Sequence, residues 1–266
     1  MKRLIFCLPL IIHAYLSLAQ YQPGDAASAG MGGGFSHARE SEALCGNISG
    51  LVSSRYTTIA VFSDIPFGLM AGARHRFGII HPLKTGVGAL TATRYGNHNL
   101  SVNSISALFA HQIALVALGF RASMHSYHIR GSGSAQKPSF DFGGRSQLSR
   151  DLSFGAYISN FTLTRLAGEA SLQIPVVMTA GLRWQAATTT SLGIELVKEP
   201  GFKSSIRTGL EYMFAELLSL RGGFSSAPNR IHLGFGVKTS KLQISYASVT
   251  HPVLAMSHYL SIGYRI

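Results

Sequence analysis

Charge is scarce in this chain. Asp, Glu, Lys and Arg make up 13% of its 266 residues, with only 11 acidic side chains; about 25% is usual for a soluble protein. Cysteine is nearly absent. Cys7 lies in the first apolar stretch, so Cys45 is the only cysteine in the remainder, and no internal disulfide can form there. Beyond that first stretch no apolar run approaches the roughly 20 residues a membrane helix needs. Apolar residues nevertheless make up 46% of the chain, so they are plentiful but dispersed. A sheet that shows alternate residues to lipid and to an interior produces that distribution.

Catalytic and nucleotide motifs are missing too. Gly30, Gly32 and Gly34 form a glycine-rich stretch without the preceding buried strand, the following helix or the Walker lysine of a phosphate loop. No Gly-x-Ser-x-Gly elbow occurs. The 11 histidines are scattered, and the spacing of His125 and His128 puts them on opposite faces of a strand. The sequence is therefore read as a non-enzyme with no metal and no cofactor. The formal charge of +12 is not accompanied by a nucleic-acid motif, which leaves anionic membrane lipids as the expected partner, or charges simply spread over loops and lumen.

The N-terminus carries an address. Lys2 and Arg3 precede an apolar run from Leu4 to about Leu18, and Ser17-Leu18-Ala19 offers small residues for signal cleavage near Ala19. Residues 1–19 are expected to be a signal peptide, and the chain to be exported.

The rest alternates with period two. Ile231, Leu233, Phe235 and Val237 interleave with His232, Gly234, Gly236 and Lys238, and Leu260, Ile262, Tyr264 and Ile266 with Tyr259, Ser261, Gly263 and Arg265. This pattern predicts strands over 55–63, 69–80, 84–95, 102–112, 113–127, 140–148, 151–160, 175–186, 190–199, 203–214, 216–225, 230–239, 240–249 and 256–266. Many run near ten residues, as membrane-spanning strands do. The expected fold is all-β: a transmembrane antiparallel barrel of about fourteen strands over 55–266, with residues 20–54 as a plug in its lumen. A tight turn is expected at Thr239 and Ser240, and an exposed loop over Arg130–Ser139, which holds Gly131, Gly133 and Pro138. A soluble secreted sandwich or adhesin, apolar face inward, is the alternative fold.

The plug segment carries a resemblance. Asp25 to Gly34 contains Met31-Gly32-Gly33; Glu40 and Glu42 follow, then Asn47-Ile48-Ser49-Gly50-Leu51. This resembles the start of PorV/PorQ-type outer-membrane barrels, distant relatives of FadL-like transporters, with Ile48 and Ser49 standing where the family has proline and alanine. Gly209-Leu210-Glu211-Tyr212, Leu220 to Phe224, Ser245-Tyr246-Ala247 and Ser257-His258 follow in the family's order. The resemblance implies a lumenal plug built around Met31, Gly32, Gly33, Asn47 and Gly50. It also implies either passage of a hydrophobic small molecule or service to type IX secretion proteins. Arg183, Glu195, Arg207, Glu211 and Arg221 lie opposite the apolar faces, so they are expected in the lumen, as a polar path or as an ion-pair ladder stiffening the wall.

Overall fold

The computed structural model describes residues 24–33, 35–131, 133–167 and 172–266. The predicted signal peptide lies outside them. Sixteen strands follow one another: β1 (Thr58–Ile65), β2 (Arg74–Leu83), β3 (Gly86–Gly96), β4 (Leu100–Ile113), β5 (Val116–Ile129), β6 (Gly133–Gln147), β7 (Leu152–Ser159), β8 (Arg165–Ala167), β9 (Leu172–Gln173), β10 (Val177–Ala187), β11 (Thr190–Lys198), β12 (Ser205–Phe214), β13 (Leu218–Ser226), β14 (Asn229–Lys238), β15 (Leu242–Val249) and β16 (Ser257–Arg265). All but β8 and β9 form one closed antiparallel barrel of fourteen strands, in which β1 pairs with β16, Thr58 opposite Arg265. β8 and β9 make a small hairpin in the connection between β7 and β10.

Period-two patterning decides the faces. On β14, Ile231, Leu233 and Phe235 are each more than half exposed, while His232 between them is buried. Val61, Phe77, Leu90, Phe120, Leu196 and Leu220 are likewise exposed on other strands. A band of large apolar side chains around the barrel is far more than a soluble surface carries, and it is the band that a bilayer covers. The sandwich alternative is thereby corrected: its apolar face would be inward, whereas here the sheet closes on itself with the apolar face outward. Part of the inner face is small and polar, and short bonds join it: Ser123 Oγ donates to Ser106 Oγ (2.9 Å), and the His125 ring lies between Ser104 Oγ and Ser139 Oγ (both 2.7 Å).

Connections at the end holding Thr58 and Ile266 are short, such as 84–85, 114–115 and 188–189; those at the other end include 66–73, 160–176 and 250–256. Short turns mark the periplasmic end of a transmembrane barrel. The turn from β14 to β15 is closed by Thr239 N–H donating to Leu242 O at 2.7 Å. The loop expected over Arg130–Ser139 is corrected: β6 begins at Gly133 and pairs with β5 from Ile129 opposite Gly133 onward. Pairing with β7 starts only at Phe142, so the preceding stretch of β6 is an edge, where Pro138 forfeits no ladder bond.

Candidate functional site: the plug and the lumen wall

Residues 24–33 and 35–57 precede the first strand, and most of those up to Ser54 are buried inside the barrel. They form a short helix, α1 (Ala26–Gly30), and 3-10 turns at Phe35–His37, Glu40–Leu44 and Ile48–Ser53. α1 is short because its alanines run into Gly30, Gly32 and Gly33, and glycine is a poor helix former; side chains supply the caps. Asp25 Oδ1 accepts from Ser28 N–H (2.9 Å) at the start of α1, and Asn47 Oδ1 accepts from Ser49 N–H (3.1 Å) at the last turn.

Glycines of the wall set how close the plug can come. A Cβ on Gly209 would collide with the carbonyl of Met31, one on Gly223 with the amide of Gly32, one on Gly155 with the carbonyl of Ser36, one on Gly143 with the Asn47 amide group, and one on Gly119 with the amide of Ser49. Gly32 (φ 77°) and Gly33 (φ 128°) turn the chain in backbone regions that disfavour side chains, and Gly33 lies against Arg207. Gly50 touches Ala38 and Ala43, so it packs the plug against itself rather than against the wall. Met31 and Asn47 are buried. Asn47 Nδ2 faces three carbonyls: Ser36 (2.9 Å), Gly144 (3.0 Å) and Ala156 (3.2 Å).

The two sides of the plug differ. Toward β1–β4, Leu44, Cys45, Ile48 and Leu51 join Phe62, Ile80, Val87, Ala89, Leu108 and Ala110 in a dry cluster; each fully buried Leu or Ile contributes about 1.5–3 kcal/mol. Arg121 Nη2 donates to Leu44 O (3.1 Å) while its Nη1 pairs with Asp141 (3.0 Å), and Arg76 Nη1 also reaches Leu44 O (3.1 Å). These cations sit at the C-terminal carbonyls of the Glu40–Leu44 turn, where positive charge is favoured. Arg76, Arg121 and Asp141 were not singled out from the sequence, although their inward strand positions are the signal that could have found them.

Toward β10–β14 the seam is charged. Arg183 Nη2 and Arg221 Nε both pair with Glu211, at 2.7 and 2.8 Å. Glu195, buried on β11, stands opposite Arg207 on β12. Glu40 receives Arg265 at 2.6 Å and Lys238 at 3.8 Å. The ring of His37 is fixed by its partners: Nε2–H donates to Ser153 O (3.2 Å), so Nδ1 accepts from Ser36 Oγ (2.9 Å). Burial, reinforced by Arg183 and Arg145, pushes this imidazole down to about 4. Burial, then the neighbouring Asp25 charge, pushes the Glu42 carboxyl up to about 7 against the pull of Arg221. Burial also raises Asp25 and lifts the Cys45 thiol to about 11, which keeps it unreactive.

Two cavities line this seam, one of about 300 Å³ toward the periplasmic end and one of about 30 Å³ deeper in. A third hollow, of about 620 Å³, lies on the membrane face of β6, β7, β10 and β11. Its floor is where Gly144, Ala156 and Ala180 meet in register, and Phe142, Phe154, Ile158, Met178 and Leu196 form its sides. Asn47 binds the carbonyls of Gly144 and Ala156 from the lumen side, directly behind that floor. Among the described residues no group of three or more His, Cys, Asp or Glu side chains is placed to hold a metal ion.

No protein-family model matches the chain, and no curated protein matches it. Solved structures do. The CymD monoaromatic hydrocarbon channel aligns with a TM-score of 0.72 at 10% identity, over 91% of this chain and 97% of that one. The Pseudomonas putida toluene transporter TodX aligns at 0.67 and 12%, over 92% and 99%. A Pseudomonas aeruginosa FadL homologue aligns at 0.66 and 10%, over 91% and 98%. At such identities the likeness is one of fold alone: a closed antiparallel β-barrel with the architecture of these channels.

Proposed function

We propose that the chain is exported by its first 19 residues, cleaved near Ala19, and works in the outer membrane as a plugged barrel that passes hydrophobic small molecules. The observation that carries this reading is the apolar hollow on the membrane face, backed across one layer of bare backbone by the plug residue Asn47. At Gly144 and Ala156 the wall carries no side chain larger than a methyl toward the membrane, and Gly143 and Gly155 carry none toward the plug. An apolar solute lodged there is in contact with bilayer hydrocarbon on one side and lies a single strand thickness from the plug on the other. The fold shared with hydrocarbon channels supports the same reading, as do the plug motifs that resemble PorV/PorQ-type barrels.

The test is uptake of a radiolabelled monoaromatic hydrocarbon by cells carrying the wild-type chain, the Ala180→Trp variant, which fills the hollow, or no copy. Uptake is expected to rise with the wild-type chain and to fall back with Ala180→Trp. Equal uptake in all three would refute the reading, and a stable complex with a secretion pore in its place would favour the secretion partner.

A further inference from the structure

We propose that the connections 66–73 and 250–256, at the end opposite the periplasmic turns, form a membrane-contact face that lies in the outer leaflet, at the boundary between its acyl chains and its headgroups. The two connections are neighbours because the barrel closes between β1 and β16. They also touch. Phe67 packs edge-on against His251 at 5.1 Å, and Phe67 N–H donates to Ser257 Oγ (3.0 Å). Together they expose Leu69, Met70, Val253, Leu254 and Met256, with Val253 at 85%. Neither contains an Asp, Glu, Lys or Arg, whereas the connection 199–204 at the same end carries Glu199 and Lys203.

The wall is low on this side. β1 and β15 have 8 residues each and β16 has 9, whereas β4, β5 and β6 have 14, 14 and 15. Eight residues at the tilt of a barrel rise about 20 Å, against an apolar band about 25 Å tall. That band already begins at the periplasmic turns, where Leu83, Ile113, Leu115 and Ile266 are exposed. β1 and β15 therefore end short of its outer edge, and the apolar connections complete it.

The face continues the band. Met256 extends the outward positions of β16, above Leu260 and His258. The polar groups on the way satisfy one another: Tyr246 OH pairs with His258 Nδ1 at 2.7 Å, and Ser63 Oγ with His75 Nδ1 at 3.1 Å. Much of the backbone of the connections is met internally as well. Leu69 N–H donates to Pro66 O (2.9 Å), Gly72 N–H to Leu69 O and Ala73 N–H to Met70 O (both 3.0 Å), and Leu254 N–H to His251 Nδ1 (3.0 Å). Backbone bonds closed in this way remove the main penalty for leaving water, and uncharged segments with apolar side chains settle about 5–10 Å into the boundary layer. The β15–β2 flank then sits low in the membrane while β4–β6 stands above it. This contact rests on the apolar band and does not depend on what the barrel passes.

Quenching of tryptophan fluorescence by brominated phospholipids tests this on the full barrel in phosphatidylcholine vesicles. Trp184 is the only tryptophan and is exposed on the membrane face of β10, so the wild type sets the level for lipid contact. In a Trp184→Phe background, Leu69→Trp and Val253→Trp should be quenched several-fold more than Gln136→Trp, which stands exposed on the tall part of β6. Bromines near the headgroup end of the chains should quench them more than bromines near the tips. Aqueous iodide should instead quench Gln136→Trp best. Heat-modifiable mobility identifies the folded barrel of each variant, and either loop variant decides the matter if the other fails to fold. Loop tryptophans quenched by bromolipid no more than Gln136→Trp, or reached by iodide as readily, would overturn the proposal and leave the face to a soluble partner.

Discussion

Replacing Asn47 should loosen the plug more than any other single side-chain truncation within it. Asn47 is fully buried, its amide nitrogen faces the carbonyls of Ser36, Gly144 and Ala156, and its Oδ1 accepts from both Ser49 N–H and Ser49 Oγ–H. In Asn47→Ala the cap on Ser49 disappears, at about 1 kcal/mol, and buried carbonyls lose their donors at about 1–3 kcal/mol for each group left unmatched. The sum is about 3–5 kcal/mol of docking, which enlarges the undocked population by roughly two to three and a half orders of magnitude. Asn47→Asp is the sharper variant. It keeps the acceptor toward Ser49 but turns a carboxylate toward three carbonyl oxygens, so it should be as damaging as alanine at pH 8 and milder at pH 5, where the acid can donate. The assay is tryptic cleavage after Arg39 in the folded barrel, whose rate follows the undocked population. An Asn47→Asp barrel as protected as the wild type at pH 8 would refute the reasoning, because the amide hydrogens would then be holding nothing.

Three further outcomes follow from the same contacts. Gly209→Ala should lower the melting temperature, at about 1–3 kcal/mol, because its methyl meets the Met31 carbonyl, whereas Gly193→Ala should be nearly silent; equal effects would mean that the plug does not press on the wall. Phe235→Arg puts a charge among lipid tails, at about 2–4 kcal/mol near mid-bilayer. Lys238→Ala loses only a long, half-exposed pair to Glu40, worth under about 1 kcal/mol, so equal folded yields would reverse the assigned faces. Docking should also depend on pH. Glu42, raised to about 7, contributes most below its ordinary value of 4.5 and loses that contribution as pH rises through 7. His37, lowered to about 4, contributes fully above 6.5 and loses it as pH falls toward 4. Glu42→Gln should therefore flatten the decline in melting temperature between pH 5 and 8, and parallel curves for variant and wild type would contradict it.

The wall was legible because its signal is repeated on every strand. Alternation such as Ile231, Leu233 and Phe235 against His232, Gly234 and Gly236 states both the strand and its faces, and the strands fall where that alternation lies. It failed at residues 133–139, where Gly133 and Pro138 read as a loop, because whether a proline breaks a ladder depends on whether a neighbouring strand is paired there, and the sequence does not say that the pairing of β6 with β7 reaches only as far as Phe142. The site was legible only in part. Arg183, Glu211 and Arg221 could be placed on one face, yet nothing in their spacing of 28 and 10 residues tells that one carboxylate takes both cations. Arg76 and Arg121 escaped because their partners are plug carbonyls, which have no residue identity to read, and Asp141 because it answers Arg121 from the neighbouring strand. Likewise each glycine of the wall looks the same in the sequence, whether the plug presses on it, as on Gly209, or leaves space, as at Gly193.

The closure of the barrel has a consequence for how the molecule is made. The seam between β1 and β16 joins the first strand to the last, so the ring cannot exist until the final residues have arrived. α1 is tied to that closure, because Ala26 N–H donates to Ser261 Oγ across 235 residues of chain (2.7 Å) and the His232 ring bonds Ala29 O (2.7 Å). Wall glycines such as Gly119, Gly155 and Gly209 are fitted against the plug on separate strands. The N-terminal segment and the last strands therefore complete each other, and the winding of the sheet ends on their contacts. Contacts of such sequence separation make that winding slow, so the half-built sheet, with its open edges, is the state in which the chain most needs an escort to the membrane.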